Sequence, residues 1–282
     1  MIKRKEIQDK ALVWGVKPEI VDKDYVLGHL LASINMHLGK QLIFKGGTCL
    51  RKCHFPNYRF SEDLDFSSVA SDVELTSTMI EEICSKITSH TGIKFDLGAI
   101  EMMLHQDIKK GYQVRIKYYG AHHDKNEPTP PPDRWKTTIK LEISTEENLL
   151  LPPEFKGIHH PYSDTLISEE AIGCYSLDEV LAEKLRSLVQ RSYTAPRDYF
   201  DIYNLSQNFK STDWQRIKPL FLQKMIHKEI EYVGPQQLVE QESINRVRKA
   251  WNASLAYQVD QNLAITAEEI TETVRNRILK NL

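Results

Sequence analysis

The segment that most constrains the fold is residues 44–66, FKGGTCLRKCHFPNYRFSEDLDF. A short apolar stretch leads into Gly46 and Gly47, a stretch of helical character follows, and an alternating stretch contains Asp63 and Asp65. Glycine lacks a Cβ, so a pair of glycines at a turn lets another group approach the backbone closely. The segment therefore predicts a strand, a tight turn, a helix and a second strand that carries carboxylates.

The second strand of this segment, RFSEDLDF, is predicted to separate polar from apolar side chains. Side chains alternate between the two faces of a strand, so Ser61, Asp63 and Asp65 share one face. Two carboxylates several ångströms apart on one strand face repel each other by about 4 kcal/mol at an effective dielectric constant near 20. A bound divalent cation such as Mg²⁺ removes that repulsion. Two solvated aspartates on an exposed sheet face remain the alternative. The opposite face is apolar and contains Phe60, Leu64 and Phe66.

A third carboxylate lies on a later segment of the same character, TTIKLEIS, at Glu142. In this strand Ile139, Leu141 and Ile143 form the apolar face, and Glu142 belongs to the polar one. Three acids that converge from two strands can hold two metal ions. Such a pair of ions activates an attacking hydroxyl and shares the charge on a transferring phosphoryl group.

The glycine turn offers the complementary half of a phosphate site. Thr48 can cap the helix that follows Gly46 and Gly47, and the first N–H groups of that helix favour an anion. A Gly-Gly-Thr turn alone is most often only a turn, and the acids downstream give it weight. The positive charges expected close to it are Lys45, Arg51, Lys52 and Arg59.

A lysine in the second half of the chain falls within an apolar helical stripe. Ser176 and Glu179 form a capping-box pattern, SLDE, at the start of this helix. Lys184 lies within the stripe, where an ammonium is unusual. It is predicted either to extend out of the stripe to solvent or to contact nucleotide phosphates. The stripe itself consists of Val180, Leu181, Leu185, Leu188 and Val189.

Two aspartates follow this helix in the segment PRDYFD. Asp198 is predicted to act as a base or as a structural partner of Lys184 or Arg197. For Asp201, capping or pairing within its own helix is the favoured interpretation. Both residues therefore have a structural alternative beside the functional one.

Composition and charge restrict the remaining functions. A net charge of −2 and a pI of about 6.6 do not resemble a general nucleic-acid coat, so an RNA substrate would need a local basic patch. The candidate patch is Arg186, Arg191 and Arg197. No apolar run approaches membrane-spanning length, and charges interrupt the basic N-terminal segment. We therefore expect a cytoplasmic protein without a signal peptide and without a membrane partner.

The cysteine pattern predicts neither a disulfide framework nor a zinc site. The four cysteines, Cys49, Cys53, Cys84 and Cys174, contain no C-x-x-C pair. They are interpreted as reduced thiols of a cytosolic protein. Cys49, Cys53 and His54 lie in one short segment, but the sequence offers no fourth ligand at a suitable spacing, so a metal is not predicted there.

The order of predicted elements is that of an α+β fold with a helical second half. We expect a mixed sheet with flanking helices in a first domain, residues 1–165, and a mainly helical domain in residues 166–282. Proline-rich loops are expected at 121–134 and 151–164. The predicted elements of the first domain are a helix over 18–39, the strand QLIF, the helix GGTCLRKCHF, the strand RFSEDLDFSS, a helix over 72–91, and the strands YQVRIKYYG and TTIKLEIS.

These motifs resemble the nucleotidyltransferase superfamily that includes DNA polymerase beta, and more narrowly the AbiEii/AbiGii toxin family, to which the MenT toxins belong. The block GGTCLRKCHFPNYRFSEDLDF is similar to that family's GGT-x-L-x-K and R-x-S-x-D-x-D signature. VDKDYVLGHLL resembles its Lys-Asp-Tyr helix, with Lys23 and Asp24 as an ion pair or as residues beside the site. IKLEIS and EKLRSLVQRSYTAPRDYFDIYNL resemble its third-acid strand and its lysine and Arg-Asp segments. The resemblance covers roughly residues 15–210.

The resemblance implies a polymerase beta-like fold and a Mg²⁺-dependent nucleotidyltransferase, with Mn²⁺ as a possible substitute. A nucleoside triphosphate (NTP) would be the substrate, a tRNA 3′ end a plausible acceptor, and a separate antitoxin the partner of a type IV-like toxin–antitoxin or phage-defence system. Carried onto this sequence, the metal ligands are Asp63, Asp65 and Glu142. The implied catalytic residues are these three acids with Lys184 and Asp198, and the implied nucleotide-binding residues are Gly46, Gly47, Thr48, Arg59, Ser61 and Lys184.

Other functions remain open from the residues alone. An enzyme that transfers a nucleotide to a small molecule or a protein would have the same metal site. A non-catalytic nucleotide-binding regulator would not need the third carboxylate, Glu142. A metal-dependent nuclease would leave the glycine turn unexplained.

Overall fold

The structure, a computed structural model, describes residues 1–70, 73–105, 108–123, 127–191, 195–207, 211–259 and 265–282. These residues divide into two compact units. The first consists of Met1–Glu147 with Pro153–Tyr175, and the second of Asn148–Pro152 with Ser176–Leu282. The boundary predicted after residue 165 stays a prediction, and the division described by the structure follows Tyr175.

The first unit begins with two helices, α1 (Arg4–Val13) and α2 (Pro18–Leu38). Strand β1 (Leu42–Lys45) leads into the short helix α3 (Gly46–Cys49), which continues as a π-helical turn over Leu50–His54. Strand β2 (Asp63–Ser68) and helix α4 (Ser77–Thr91) follow. The unit is completed by β3 (Lys94–His105), β4 (Ile108–Tyr119), a 3-10 turn at Pro132–Arg134, β5 (Thr138–Ser144), β6 (Glu154–Lys156) and β7 (Ile172–Cys174).

The strands form one mixed sheet in the order β3-β4-β5-β2-β1-β7-β6. Neighbours are antiparallel except for two parallel pairs, β2 with β5 and β1 with β7. The α+β class and the mixed sheet with flanking helices, predicted from the order of elements, are confirmed. The parallel pairing of β2 with β5 places the two acid-bearing strands at the centre of the sheet.

The core of the first unit lies on the face of the sheet opposite the acids. Leu64 and Phe66 of β2 are buried beside Leu141 and Ile143 of β5, as the alternation predicts. Helices α2 and α4 contact each other, and α2 also contacts β2. Most side chains of α2 are buried, which accounts for a helix that is apolar around much of its circumference.

Three strands of the sheet were not predicted from the sequence. β3 is interrupted by register shifts between Leu97 and Ile100 and between Met103 and Leu104, so its alternation is broken. β6 and β7 span only Glu154–Lys156 and Ile172–Cys174, which is too short for a periodic signal, and β6 lies within the predicted loop 151–164. The predicted first residue of the helix over 72–91 lies outside the described residues, and α4 begins at Ser77.

The second unit is helical in its described part, as predicted. It contains α5 (Leu177–Gln190), α6 (Pro196–Gln207), α7 (Ser211–His227), α8 (Gln241–Ser254) and α9 (Ala267–Asn281). Two 3-10 turns, Pro235–Leu238 and Ala256–Gln258, lie before and after α8. Helix α5 contacts α6 and α7, and α9 contacts α6, α7 and α8. No helix in the described residues is long and apolar enough to cross a membrane.

The predicted capping box at the start of α5 is only half formed. The Ser176 hydroxyl accepts a hydrogen bond from the Glu179 N–H at 3.3 Å. The Glu179 carboxylate does not return to Ser176; it accepts from the N–H groups of Leu150 and Leu151 and pairs with Lys224 at 2.5 Å. Tertiary packing therefore takes over a side chain that the local pattern assigned to a cap.

Candidate active site

The register of the central strands brings the three predicted acids together. Asp65 of β2 lies opposite Glu142 of β5, and Asp63 lies opposite Lys140. Paired residues of neighbouring strands point to the same face, with Cβ atoms about 5 Å apart. The acids predicted from two separate alternating segments therefore share one face of one sheet, and all three are partly exposed.

The surroundings of Asp65 oppose the ionisation of its carboxyl group. Partial burial and the neighbouring Glu142 carboxylate raise the pKa of Asp65 from 3.8 to about 6, and Asp63 contributes in the same direction. Lys45 and Lys140 act against this rise. A carboxylate whose ionisation is opposed by burial and by other carboxylates gains from a bound cation, so this acid set is suited to a metal ion.

Two lysines contact the acidic face. Lys140 donates to Glu142 Oε2 at 2.8 Å, and the pKa of Lys140 is raised by this hydrogen bond and by the nearby carboxylates, although burial opposes the rise. Lys45 is opposite Asp65 in the β1–β2 ladder, and its Nζ lies 3.6 Å from Glu147 Oε1. The positive charges near the acids therefore come from lysines of the sheet strands.

The acidic positions belong to a polar row that crosses the sheet. On the far side of Glu142, Gln113 of β4 is its ladder partner, and Glu101 of β3 is the ladder partner of Gln113. The Gln113 side chain donates to Glu101 at 3.3 Å. Neither residue was predicted, because β3 was missed and because a glutamine in an alternating strand gives no chemical signal by itself.

The glycine turn lies directly against the acids. Gly46 adopts a left-handed backbone with φ of +80°, and a Cβ added there would lie 2.5 Å from Asp65 Oδ2. A Cβ on Gly47 would lie 2.7 Å from the Arg59 guanidinium and 2.9 Å from the Ser61 hydroxyl. Both glycines are therefore required by close approach, as the sequence suggested in general form.

Thr48 has a role different from the predicted one. Its hydroxyl donates to the backbone oxygen of Asp63 at 2.5 Å, and the residue is 1% exposed. The short helix α3 has no side-chain cap. Thr48 thus fixes the turn to the first residue of β2.

We expect Gly46→Ala to lower transfer activity by about 100-fold, because the new Cβ would displace the Asp65 carboxylate by more than the site tolerates. Gly92→Ala is the matched control. Gly92 has nearly the same backbone, with φ of +82°, but no atom of the described residues lies within 4 Å of an added Cβ. Both variants should lose about 1 kcal/mol of unfolding free energy from the left-handed backbone. Equal activities of the two variants at equal stability would contradict the close contact between turn and acid.

Two cations expected beside the glycine turn are committed elsewhere. Arg51 Nε and Lys52 Nζ each bind Asp24 at 2.8 Å, and all three residues are buried. Lys23 pairs instead with Glu62 at 3.1 Å, so the predicted Lys23–Asp24 pair is not formed. On a helix, adjacent residues point in different directions, which is why each finds its own partner.

The predicted lysine helix forms a buried charge cluster within the second unit. Lys184 Nζ lies 2.7 Å from Asp198 and 2.9 Å from Asp201, and Arg191 lies 2.5 Å from Asp198. Asp201 therefore pairs with Lys184 of α5, whereas the favoured interpretation placed its partner within its own helix. Of the two structural partners predicted for Asp198, Lys184 is present, and Arg191 takes the place of Arg197. The roles of Lys184 in phosphate binding and of Asp198 as a base stay predictions.

The proposed basic patch of α5 is only partly exposed. Arg186 is buried and hydrogen-bonds to Gln190, and Arg191 is tied to Asp198. Arg197 is exposed. Helical periodicity did not distinguish these arginines, because it does not show which face of α5 is covered by α6 and α7.

Comparison with known proteins identifies the family. A sequence model described as the nucleotidyl transferase AbiEii toxin of a type IV toxin–antitoxin system matches residues 29–273. The chain belongs to the AbiEii family. It is accordingly a nucleotidyltransferase, as the motifs predicted, and the match extends well beyond residue 210, where the sequence resemblance had stopped. No curated protein sequence matches the chain.

A solved structure shows the same fold. The AbiEii-family chain is 21% identical to MenT4, the nucleotidyltransferase toxin Rv2826c of Mycobacterium tuberculosis H37Rv, with a TM-score of 0.63 and coverage of 100% of this chain and 91% of that one. Two Helicobacter pylori proteins, one of them JHP933, are 17% and 19% identical with TM-scores of 0.49 and 0.48. Each covers 90% of this chain, and 94% and 91% of the H. pylori chains are covered.

Proposed function

We propose that this AbiEii-family protein is a Mg²⁺-dependent toxin that transfers a nucleotide from an NTP to a tRNA 3′ end in the cytoplasm. Asp63, Asp65 and Glu142 are the proposed metal ligands. The observation that carries the proposal is their convergence on one face of the sheet, where Asp65 has a raised pKa. Family membership supports the reaction class and a protein antitoxin as partner.

The donor set fits a hard divalent cation. All three ligands are carboxylates, which Mg²⁺ prefers, and their mutual repulsion is the kind that a bound cation relieves. When bound, such an ion neutralises the triphosphate and lowers the pKa of the attacking hydroxyl. Mn²⁺, which also takes oxygen ligands, is the expected substitute.

The glycine turn is the proposed site of the triphosphate. The close approach of Gly46 to Asp65 and of Gly47 to Arg59 and Ser61 puts bare backbone, a guanidinium and a hydroxyl at the edge of the acid set. Arg59 supplies planar N–H donors suited to phosphate oxygens. Thr48 holds the turn on β2 through its hydroxyl, and its predicted contact with the nucleotide is part of the proposal.

The proposal that tRNA is the acceptor rests on the family resemblance. Arg186 is buried and Arg191 is paired with Asp198, which reduces the basic surface that could bind RNA and supports a small-molecule or protein acceptor as the second candidate. In both cases the α-phosphorus of the NTP is attacked by an acceptor hydroxyl, and pyrophosphate leaves. The three acids and the glycine turn would have the same roles with either acceptor.

A transfer assay tests this proposal. Purified protein is incubated with Mg²⁺, one α-³²P-labelled NTP at a time, and total tRNA, beside Asp63→Ala and Glu142→Gln. We expect label on tRNA with wild type and a loss of at least about 10³-fold in both variants. Asp96→Asn, an exposed aspartate of β3 paired with Lys117, is the control that should retain activity.

The same assay separates the alternatives. Label on protein or on a small molecule, lost in Asp63→Ala, would replace tRNA by the second acceptor class. Full activity of Glu142→Gln would refute its place among the metal ligands. Nucleotide binding with no transfer to any acceptor, in protein that still inhibits growth, would refute the proposed reaction.

A further inference from the structure

A cluster of sulfur and imidazole groups lies behind the glycine turn. The Cys49, His54 and Cys174 ligand atoms all lie within 4.8 Å of one another. Cys53 lies four residues after Cys49 and directly before His54. Cys49 and Cys174 are buried, and Cys53 is partly so. Two thiols and one imidazole thus meet in the first unit, with a third thiol in the same helical segment, and the proposed nucleotidyl-transfer site uses none of them.

The fold supplies the ligand that the sequence lacked. Cys49 and Cys53 are four residues apart on one helical segment, so they point to the same side. Strand β7 pairs in parallel with β1, with Cys174 opposite Phe44, and the Tyr175 N–H donates to the Phe44 oxygen at 3.0 Å. This pairing carries Cys174 to the helix that starts just after β1, from a position more than a hundred residues later in the chain.

We propose that Cys49, His54 and Cys174 bind a structural zinc ion, and that the Cys53 thiol turns toward them on binding to complete a site of the Cys₃His type. Tetrahedral zinc has Zn–S distances of about 2.3 Å and Zn–N distances of about 2.1 Å, which put sulfur and nitrogen ligands about 3.6 Å apart. Cys174 Sγ and His54 Nε2 are 3.7 Å apart. A closed set of four N and S ligands is the pattern of structural sites, whereas catalytic zinc keeps a position open.

The protons of the cluster leave when zinc binds. His54 Nε2 lies 2.9 Å from the Tyr175 backbone oxygen, to which it donates. On binding, Nε2 gives up its proton and turns its lone pair from this oxygen to the ion, while Nδ1 takes up a proton, so that the imidazole stays neutral. The three thiols each lose a proton and bind as thiolates. The protons go to solvent.

The zinc site would hold the active-site turn in place at its C-terminal end. Cys49 directly follows Gly46, Gly47 and Thr48, so a bond from zinc to Cys49 joins the end of the turn to β7. β7 borders β1, the strand that leads into the same turn. The ion would thus fix both ends of the turn to the sheet without contacting the acids.

Metal content measures the proposal directly. The untagged full-length chain is purified without chelator from zinc-supplemented medium, and its metals are determined by plasma mass spectrometry. We expect about one zinc ion per chain in wild type and a loss of most of it in Cys174→Ser and in Cys53→Ser. Cys84→Ser is the matched control, because Cys84 is also a buried cysteine but lies on α4. It should keep its zinc, as should Asp65→Asn, which alters the carboxylate site.

A second measurement covers variants that fail to fold. Metal-free wild type titrated with Co²⁺ should develop thiolate-to-cobalt charge-transfer absorption and the strong visible bands of a tetrahedral site, which zinc then abolishes. The proposal would be overturned if wild type contained no zinc as purified and gave no such spectrum with Co²⁺. A disulfide between two of the three cysteines, seen as a mass lower by two hydrogens without reductant, would overturn it too. Loss of zinc in Asp65→Asn would assign the ion to the carboxylates.

Discussion

Asp65→Asn is expected to reduce nucleotidyl transfer by at least about 10³-fold while leaving the protein as stable as wild type or more so. The activity falls because an amide cannot take the place of a charged metal ligand. The stability is kept because burial and the neighbouring carboxylates raise the pKa of Asp65 to about 6, so its negative charge opposes folding. Removing that charge removes the repulsion and preserves the shape of the side chain.

The pH dependence of stability should show the same unfavourable effect of the Asp65 charge. Because the folded-state pKa of Asp65 is above its value of 3.8 in the unfolded chain, the folded protein binds the extra proton between about pH 4 and pH 6. The unfolding free energy should therefore fall as pH rises through this window, by an amount on the order of 2 kcal/mol, and then level off. Asp65→Asn should lack this fall.

The measurements are thermal or urea unfolding of wild type and variant between pH 4 and 8 without divalent metal, and Mg²⁺ binding over the same range. Proton and metal compete for Asp65, so Mg²⁺ affinity of wild type should weaken below pH 6. Asp96→Asn provides the control for a lost strand aspartate outside the acid set. A stability loss of several kcal/mol in Asp65→Asn at pH 8 would show that this acid holds the fold together.

Asp24→Asn is expected to lower the unfolding free energy by about 3 to 5 kcal/mol, with a fall in Tm on the order of 10 °C. Asp24 is 1% exposed and is the shared partner of Arg51 and Lys52, and it also accepts a hydrogen bond from Tyr162. Its replacement leaves two buried cations without their carboxylate. The damage follows from unpaired charge, since the amide has nearly the same size.

The double variant Asp24→Asn/Lys52→Met isolates this cause. Lys52 is 0% exposed, and burial holds its pKa below the usual value even beside Asp24. Removing the stranded ammonium should recover part of the stability lost in Asp24→Asn. If the double variant were less stable than the single one by the full effect of Lys52→Met alone, the two residues would not be coupled. Asp9→Asn, an exposed aspartate on α1, should change stability by less than about 0.5 kcal/mol.

Acid pH should act on Asp24 in the sense opposite to Asp65. Burial by itself would raise the pKa of Asp24, but Lys52 and Arg51 bring it well below the value of 3.8. The stability from this group is therefore complete above about pH 4 and is lost as pH falls below that value. The two carboxylates thus separate in a pH titration of stability, one by its gain at low pH and the other by its loss.

The acids and the cations around them show how much of the candidate site could be predicted from the sequence. Asp63, Asp65 and Glu142 were found because alternation in a strand is a local property of the backbone. The cations were assigned by proximity in sequence, and two of the four, Arg51 and Lys52, turned out to serve Asp24. A long cationic side chain can turn to either side of a short helix, so sequence distance does not tell which partner it binds.

The sequence by itself determined the alternating strands, the glycine turn, the helical second half and the family. The tertiary structure decided the rest. Only the parallel pairing of β2 with β5 makes Glu142 a neighbour of Asp65, and only the pairing of β7 with β1 brings Cys174 to Cys49 and His54. The reason is physical: periodicity records which face a residue occupies along one element. Which elements meet, and in what register, depends on the packing of segments that lie far apart in the chain.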